Sequence, residues 1–249
     1  MKVLFSWISV AAILISGCAG SHQTSASAER QNSLAAESLK MSNQNLEPDS
    51  AILMSVNRYR HTLTEVMGEP LTTLKSDLNF GKPESTLGNL MADILRFRAA
   101  RELRTFVHLG VINEESFSLW LNKGEVTLGN IYELMPYDNH LVILTLTGEK
   151  VIRLMETVAS LGGAPVSGVR MNIKDGKARG ILVNSEVVDP GKNYLVATSN
   201  YLADGNGPFD VLWDYEDRID LDLLIRDSLI EYFKNQYELE PVLDARIRE

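Results

Sequence analysis

Cysteine is almost absent from this 249-residue chain. Cys18 stands alone, so no disulfide can close within the chain and no CxxC or cysteine-based zinc site exists. Histidine is nearly as scarce. His22, His61, His108 and His140 are scattered, none lies in an HxH or HExxH pattern, and the one DxH triplet, Asp138-Asn139-His140, stands alone without further clustered metal ligands. There is no GxSxG nucleophile elbow and no P-loop; Gly205-Asn206-Gly207 is a lone glycine turn. No apolar run reaches the roughly 20 residues of a membrane span. Positive charge is in deficit, with 24 basic against 33 acidic residues and a net charge of −9. A body that negative repels phosphate backbones, which argues against nucleic acid as a partner but leaves room for a local basic pocket holding one small anion. What remains is ordinary: 45% apolar and 23% charged residues suit a globular protein with a core, not a coiled coil or a multi-span membrane protein.

The first residues have the layout of a secretory leader. Met1-Lys2 is followed by an apolar run from Val3 to Ile15 and then by Ser16-Gly17-Cys18. Ile15-Ser16-Gly17-Cys18 resembles a bacterial lipoprotein signal, which implies residues 1–17 as signal peptide and Cys18 as the lipidated first residue. An ordinary signal peptide with a chance cysteine is the alternative. Ala19 after the cysteine points, by the same resemblance, to the outer membrane of a Gram-negative cell envelope. Residues 18–50, rich in Ser, Ala, Gln, Asn and Glu, read as a polar flexible tether, with the folded domain over 51–249.

Within that domain, apolar spacing predicts helices over Ile52–Met67, from Leu87 through Leu95, over Glu149–Ser160, and over Leu221–Tyr237. Ser85 or Thr86 caps the second of these, and Gly88 in its first turn implies close backbone packing. Strands are expected at Phe106–Val111, Leu119–Asn122, Leu141–Leu146 and Tyr194–Thr198, with a hairpin over 168–183 turning at Asp175-Gly176. Strands and helices mix without a βαβ beat, so the fold class is α+β, with layered helices and mixed sheets. Arg96, Arg98, Arg101 and Arg104 read as a solvated helix face, and the acidic run Asp214, Glu216, Asp217, Asp220 and Asp222 as a solvated loop.

Five collinear segments carry a family resemblance. Glu84-Ser85-Thr86-Leu87-Gly88-Asn89-Leu90-Met91-Ala92-Asp93 resembles the E-S/T-N-L-G-N-L-x-A-D stretch of the 5′-nucleotidase C-terminal domain family. Gly124-Glu125-Val126-Thr127 and Leu134-Met135-Pro136-Tyr137-Asp138-Asn139-His140 resemble its G-x-I-T and L-P-F-G-N segments. Val166-Ser167-Gly168-Val169-Arg170 and Tyr194-Leu195-Val196-Ala197-Thr198-Ser199-Asn200-Tyr201-Leu202-Ala203 resemble two of its strands. The family's usual members add a two-metal phosphatase domain, for which the roughly 30 residues between Cys18 and the domain are too few.

The resemblance implies a nucleoside or nucleotide-like ligand held between Tyr137 and Tyr201, with Asn139 on the base edge and no cofactor. Core packing is the alternative fate of both tyrosines. The family's phosphate-side residues do not carry over: His108 and Asn113 stand in its N-G-G-G-I-R loop, Pro83 where an Arg is frequent, and Gly207 where a ribose-binding carboxylate belongs. Asp204 is the neighbouring substitute. With two guanidiniums gone, a nucleoside fits better than a nucleotide. The expectation is therefore a lipid-anchored module without chemistry of its own, the substrate-binding half of a split nucleotide hydrolase in nucleotide catabolism, whose partner is a separate metallophosphatase chain. The alternative is a scaffold that kept the fold and lost the pocket.

Overall fold

The computed structural model describes residues 49–249, and one compact unit runs from Asn57 to Glu249. The leader, Cys18 and nearly all of the tether lie outside the described residues. Helix α1 (Ser50–Met67) forms where its apolar spacing predicts, yet none of its residues is buried. It ends at Gly68 and leads into β1 (Pro70–Leu74).

At the centre is a five-stranded mixed sheet. Its order is β10 (Asp217–Leu224), β4 (His140–Thr147), β9 (Asn193–Ser199), β2 (Leu109–Val111) and β5 (Val166–Ser167). β2 and β9 run parallel and the other pairs antiparallel. β4 is apolar from Leu141 to Leu144 because both of its faces are covered. Val142, Leu144 and Leu146 point into one core with helix α4 (Gly148–Ser160), which also packs against β7 (Lys177–Val183). Leu141 and Ile143 point into a second core with helices α2 (Thr86–Leu103) and α6 (Ile225–Lys234). A three-stranded sheet joins β11 (Glu238–Leu239), β1 and β3 (Gly124–Thr127). A four-stranded sheet joins β12 (Ile247–Arg248), β6 (Val169–Lys174), β7 (Lys177–Val183) and β8 (Glu186–Val187). The short helices α3 (Leu128–Leu134) and α5 (Asn200–Ala203) complete the layered α+β fold.

Local chemistry explains the element starts. Ser85 Oγ accepts from Gly88 N at 2.9 Å and caps α2. A Cβ on Gly88 would sit 2.7 Å from that oxygen and 3.0 Å from Pro165, so the close packing expected there is present. Thr127 and Asn130 form a reciprocal capping box on α3. Asp175 and Gly176 both have positive φ, the backbone twist that a two-residue hairpin between β6 and β7 needs.

Five expectations are corrected. The stretch from Leu221 to Leu224 is not helical: it is the end of β10, and α6 starts at Ile225. Asp217, Asp220 and Asp222 therefore sit on an edge strand, not in a loop, where charged side chains discourage unwanted strand pairing. The segment Leu119–Asn122 contributes one isolated bridge, Leu78 to Leu121, and the strand expected from Phe106 begins only at Leu109. The arginines after Leu95 form a solvated face only in part: Arg101 and Arg104 are exposed as expected, whereas Arg96 and Arg98 are not. Arg98 pairs with Glu231 and Glu102, Arg101 with Glu231, and Arg96 is half-buried beside Ser167.

Candidate functional site

The register of β4 on β9 places the candidate residues. Leu141 faces Ser199, so the segment before β4 and the segment after β9 emerge at the same end of the sheet. Asn200 ties them together, its Oδ1 accepting from His140 N at 2.8 Å. Tyr201 follows in α5, capped by Ser199 Oγ, which accepts from Leu202 N. The loop then folds back on α5: both the backbone N and the Nδ2 of Asn206 donate to Tyr201 O. Gly207 has φ +74°, and a Cβ there would lie 2.9 Å from Leu202 Cδ2.

Tyr201 and Gly207 line a cleft of about 450 Å³ together with Lys82, Asn113, Glu114, Glu115, Pro165 and Phe209. Three of the four positions where the sequence departs from the family pattern, Pro83, Asn113 and Gly207, thus lie in or beside one cleft, and His108 does not. Asn113 is buried and spoken for: its Oδ1 accepts from Ser116 Oγ at 2.6 Å and its Nδ2 donates to Glu115. It shapes the short 3₁₀ turn Glu114–Ser116 that forms the acidic wall. Lys82 is the cation of the cleft, its Nζ donating to Gly163 O at 2.5 Å and lying 3.5 Å from Glu114 Oε2. Neither Lys82 nor the Glu114-Glu115 pair stood out in the sequence, although Lys82 adjoins the departure at Pro83.

Tyr137 is 56% exposed on the loop before β4 and is not among the residues that line the cleft. Arg226 of α6 holds that loop. Its Nη1 donates to Met135 O at 3.1 Å and to Tyr137 O at 3.5 Å, its Nη2 donates to Asp138 at 2.5 Å, and its guanidinium lies 4.5 Å over the Tyr132 ring. Asn139 is half-buried, and its carbonyl accepts from Ile225 N. Asp204 is exposed and pairs at 2.7 Å with Arg218 of β10. The hydrogen bonds Arg218 donates, to Asp220 first and then to Asp204, hold its pKa above the usual arginine value, so the guanidinium stays charged.

His108 belongs to the scaffold. Its Nδ1 accepts from Leu195 N at 3.0 Å and its ring lies edge-on between Phe106 and Tyr194. Burial pushes its pKa below the usual histidine value, which suits a neutral acceptor. The polar residues of the Glu84–Asp93 segment also serve the scaffold. Glu84 accepts from Ala245 N and Asn89 Nδ2, and Asp93 accepts two hydrogen bonds from Arg246. Among the described residues, no group of three or more His, Cys, Asp or Glu side chains is placed to hold a metal ion. No helix among them is long and apolar enough to cross a membrane.

Comparison with known proteins places this geometry. The sequence pattern of the "5'-nucleotidase, C-terminal domain" matches residues 66–214. Protein UshA of Escherichia coli is 30% identical over 112 residues, which is 43% of this chain and 20% of that protein. The trifunctional nucleotide phosphoesterase protein YfkN of Bacillus subtilis is 25% identical over 183 residues, 67% of this chain and 12% of that protein. The 5'-nucleotidase precursor from Thermus thermophilus superposes with a TM-score of 0.68 at 24% identity, over 78% of this chain and 42% of that one. The NAD nucleotidase NadN of Haemophilus influenzae gives 0.62 at 19% identity, over 80% and 41%. The chain therefore spans a fifth or less of these curated relatives and about two-fifths of the solved chains. With its matched motifs on one continuous α+β scaffold, the chain belongs to the 5′-nucleotidase C-terminal domain family.

Proposed function

We propose that this chain is a nucleoside-binding module whose ligand enters the 450 Å³ cleft beside Tyr201. The observation that carries the reading is the convergence of the 137–140 and 200–207 segments at one end of the sheet, next to a cleft walled by Tyr201, Asn113 and Lys82. The base stacks on Tyr201, and Tyr137, exposed on the adjoining loop outside the cleft lining, is the second ring of the proposal; each stacked base face is worth ~1–3 kcal/mol. Asn139 meets the base edge, where an amide both donates and accepts. Asp204 meets the ribose through the carboxylate oxygen that Arg218 does not hold. Glu114 and Glu115 repel a phosphate and Lys82 already shares its charge with Glu114, so a nucleoside is preferred to a nucleotide. The nucleotide-directed names of YfkN and NadN support this ligand class.

The module covers 51–249, is tethered by 18–50, and is anchored through lipidated Cys18 to the outer membrane. It presents its ligand to a separate metallophosphatase chain in nucleotide catabolism. A second reading, a scaffold whose pocket is lost, is favoured by one observation: Arg218 competes for the Asp204 carboxylate.

Calorimetry with adenosine, uridine and AMP separates the two readings. The module binds a nucleoside, and Tyr201→Ala or Tyr137→Ala weakens binding by about tenfold or more. Silence across all three ligands leaves the scaffold. Radiolabelled palmitate incorporation that disappears in Cys18→Ser tests the anchor.

A further inference from the structure

We propose that a second cleft, between α2 and the β6–β8 hairpins, binds a small phosphate-type oxyanion on the guanidinium of Arg96, with Arg170 as the second cation. The cleft has a volume of about 280 Å³, and its charged lining is Asp93, Arg96, Arg170, Asp244 and Arg246. It shares no lining residue with the Tyr201 cleft.

The pattern of hydrogen bonds singles out Arg96. Arg246 is saturated: it donates to Asp93 at 3.0 and 2.9 Å, to Asp244 at 2.8 and 3.1 Å, and to Val166 O at 2.8 Å. Both carboxylates of the cleft are thereby engaged, and Arg170 donates to the Asp244 carbonyl at 3.0 Å. Arg96 spends only its Nε, which donates to Ser167 Oγ at 2.8 Å. Neither of its terminal nitrogens has an acceptor among the described residues. Its guanidinium carbon lies 4.6 Å from the centroid of the Phe97 ring, which covers one face. Burial lowers its pKa and so does neighbouring Arg246, while Asp93 only partly offsets them. The charge is thus half-desolvated and undercompensated, which is costly unless an anion supplies the missing partner.

The geometry suits an oxyanion. Three arginines against two aspartates leave the cleft at 3 − 2 = +1 in a chain whose net charge is −9. A guanidinium with both terminal nitrogens available offers the planar fork that matches two oxygens of a phosphate or carboxylate. A second guanidinium in the same cleft favours the doubly charged member of that pair, so phosphate ranks first. The fork is also held in place before any ligand arrives. Ser167 Oγ donates to Asp93 while it accepts from Arg96, which fixes the side chain and reduces the entropy lost on binding.

The test uses the folded chain and inorganic phosphate, with chloride at matched ionic strength as the reference and glycerol phosphate as a second arm for a phosphate carried on a larger soluble molecule. Phosphate raises the unfolding temperature above the chloride reference, and calorimetry gives saturable binding. Arg96→Gln abolishes both effects. Arg170→Gln weakens binding by about tenfold. Lys82→Gln, in the other cleft, leaves binding unchanged. Should Arg96→Gln fail to fold, Arg96→Lys keeps the charge without the fork, and half-exposed Arg170 carries the test. Equal protection by phosphate and chloride overturns the proposal. So does unchanged affinity in the Arg96 and Arg170 variants, or loss of binding in Lys82→Gln.

Discussion

Arg246→Ala, in the wall of the second cleft, is the perturbation with the largest worked consequence for stability. The side chain is 7% exposed and links the C-terminal strand to α2 and β5 through Asp93, Asp244, Asn89 O and Val166 O. Its removal leaves Asp93 with Ser167 Oγ alone in a partly desolvated place. Losing one partner of a buried, hydrogen-bonded ion pair costs ~3–5 kcal/mol. The Asp93 and Asp244 side chains are 30% and 39% exposed, so solvent screens part of that and the lower end, about 3 kcal/mol, applies. For a domain of this size that is a fall in unfolding temperature of roughly 6–12 °C. Urea titration followed by circular dichroism gives the free energy directly. Asp93→Asn and the double variant complete the cycle, and the two single costs should sum to more than the double cost by about 1 kcal/mol or more. A single-variant loss below about 1 kcal/mol, or strict additivity, would show that the pair does not hold the C-terminal strand in place.

Three other perturbations have defined outcomes. His108 has a pKa lowered by burial, so its neutral form stabilises the fold above the unfolded value of about 6.5 and that stability is lost as pH falls below it; His108→Gln should flatten the loss between pH ~7 and ~5 in thermal scans. Gly163→Ala puts a Cβ 2.0 Å from Pro83 O at φ +119°, beside the carbonyl that Lys82 caps, and should destabilise by about 2 kcal/mol or more in denaturant while distorting the Tyr201 cleft. Arg226→Lys keeps the charge but not the multiple contacts to Met135 O, Tyr137 O and Asp138; amide exchange should accelerate over 135–138, and any nucleoside affinity should fall without a matching loss of global stability.

Much of the scaffold was legible because local and global signals agree. The i, i+3, i+4, i+7 spacing from Leu87 and the Ser85 cap define α2 together, and the unbroken apolar run of β4 reports a strand covered on both faces. β10 failed for a physical reason. Ile219, Leu221 and Leu223 alternate with Asp220 and Asp222, a period of two that was overridden by the helical spacing that follows from Ile225. The arginines on α2 have the composition of a solvated face, and only tertiary structure brings Glu231 and Ser167 to them. At the candidate site, Tyr201 and the departures at Pro83, Asn113 and Gly207 were readable from the motifs. Lys82, the acidic wall and the Arg226 clamp were not, because each depends on contacts between residues distant in the chain.

The central claim is that a nucleoside occupies the cleft beside Tyr201, and amide chemical-shift mapping during an adenosine titration tests it most directly. The account predicts saturable shifts concentrated at Asn113, Glu115, Tyr201 and Gly207, with a smaller set on the Tyr137 loop and none at Arg96 or Arg170. An unchanged spectrum at saturating adenosine, or shifts confined to residues away from that cleft, contradicts it.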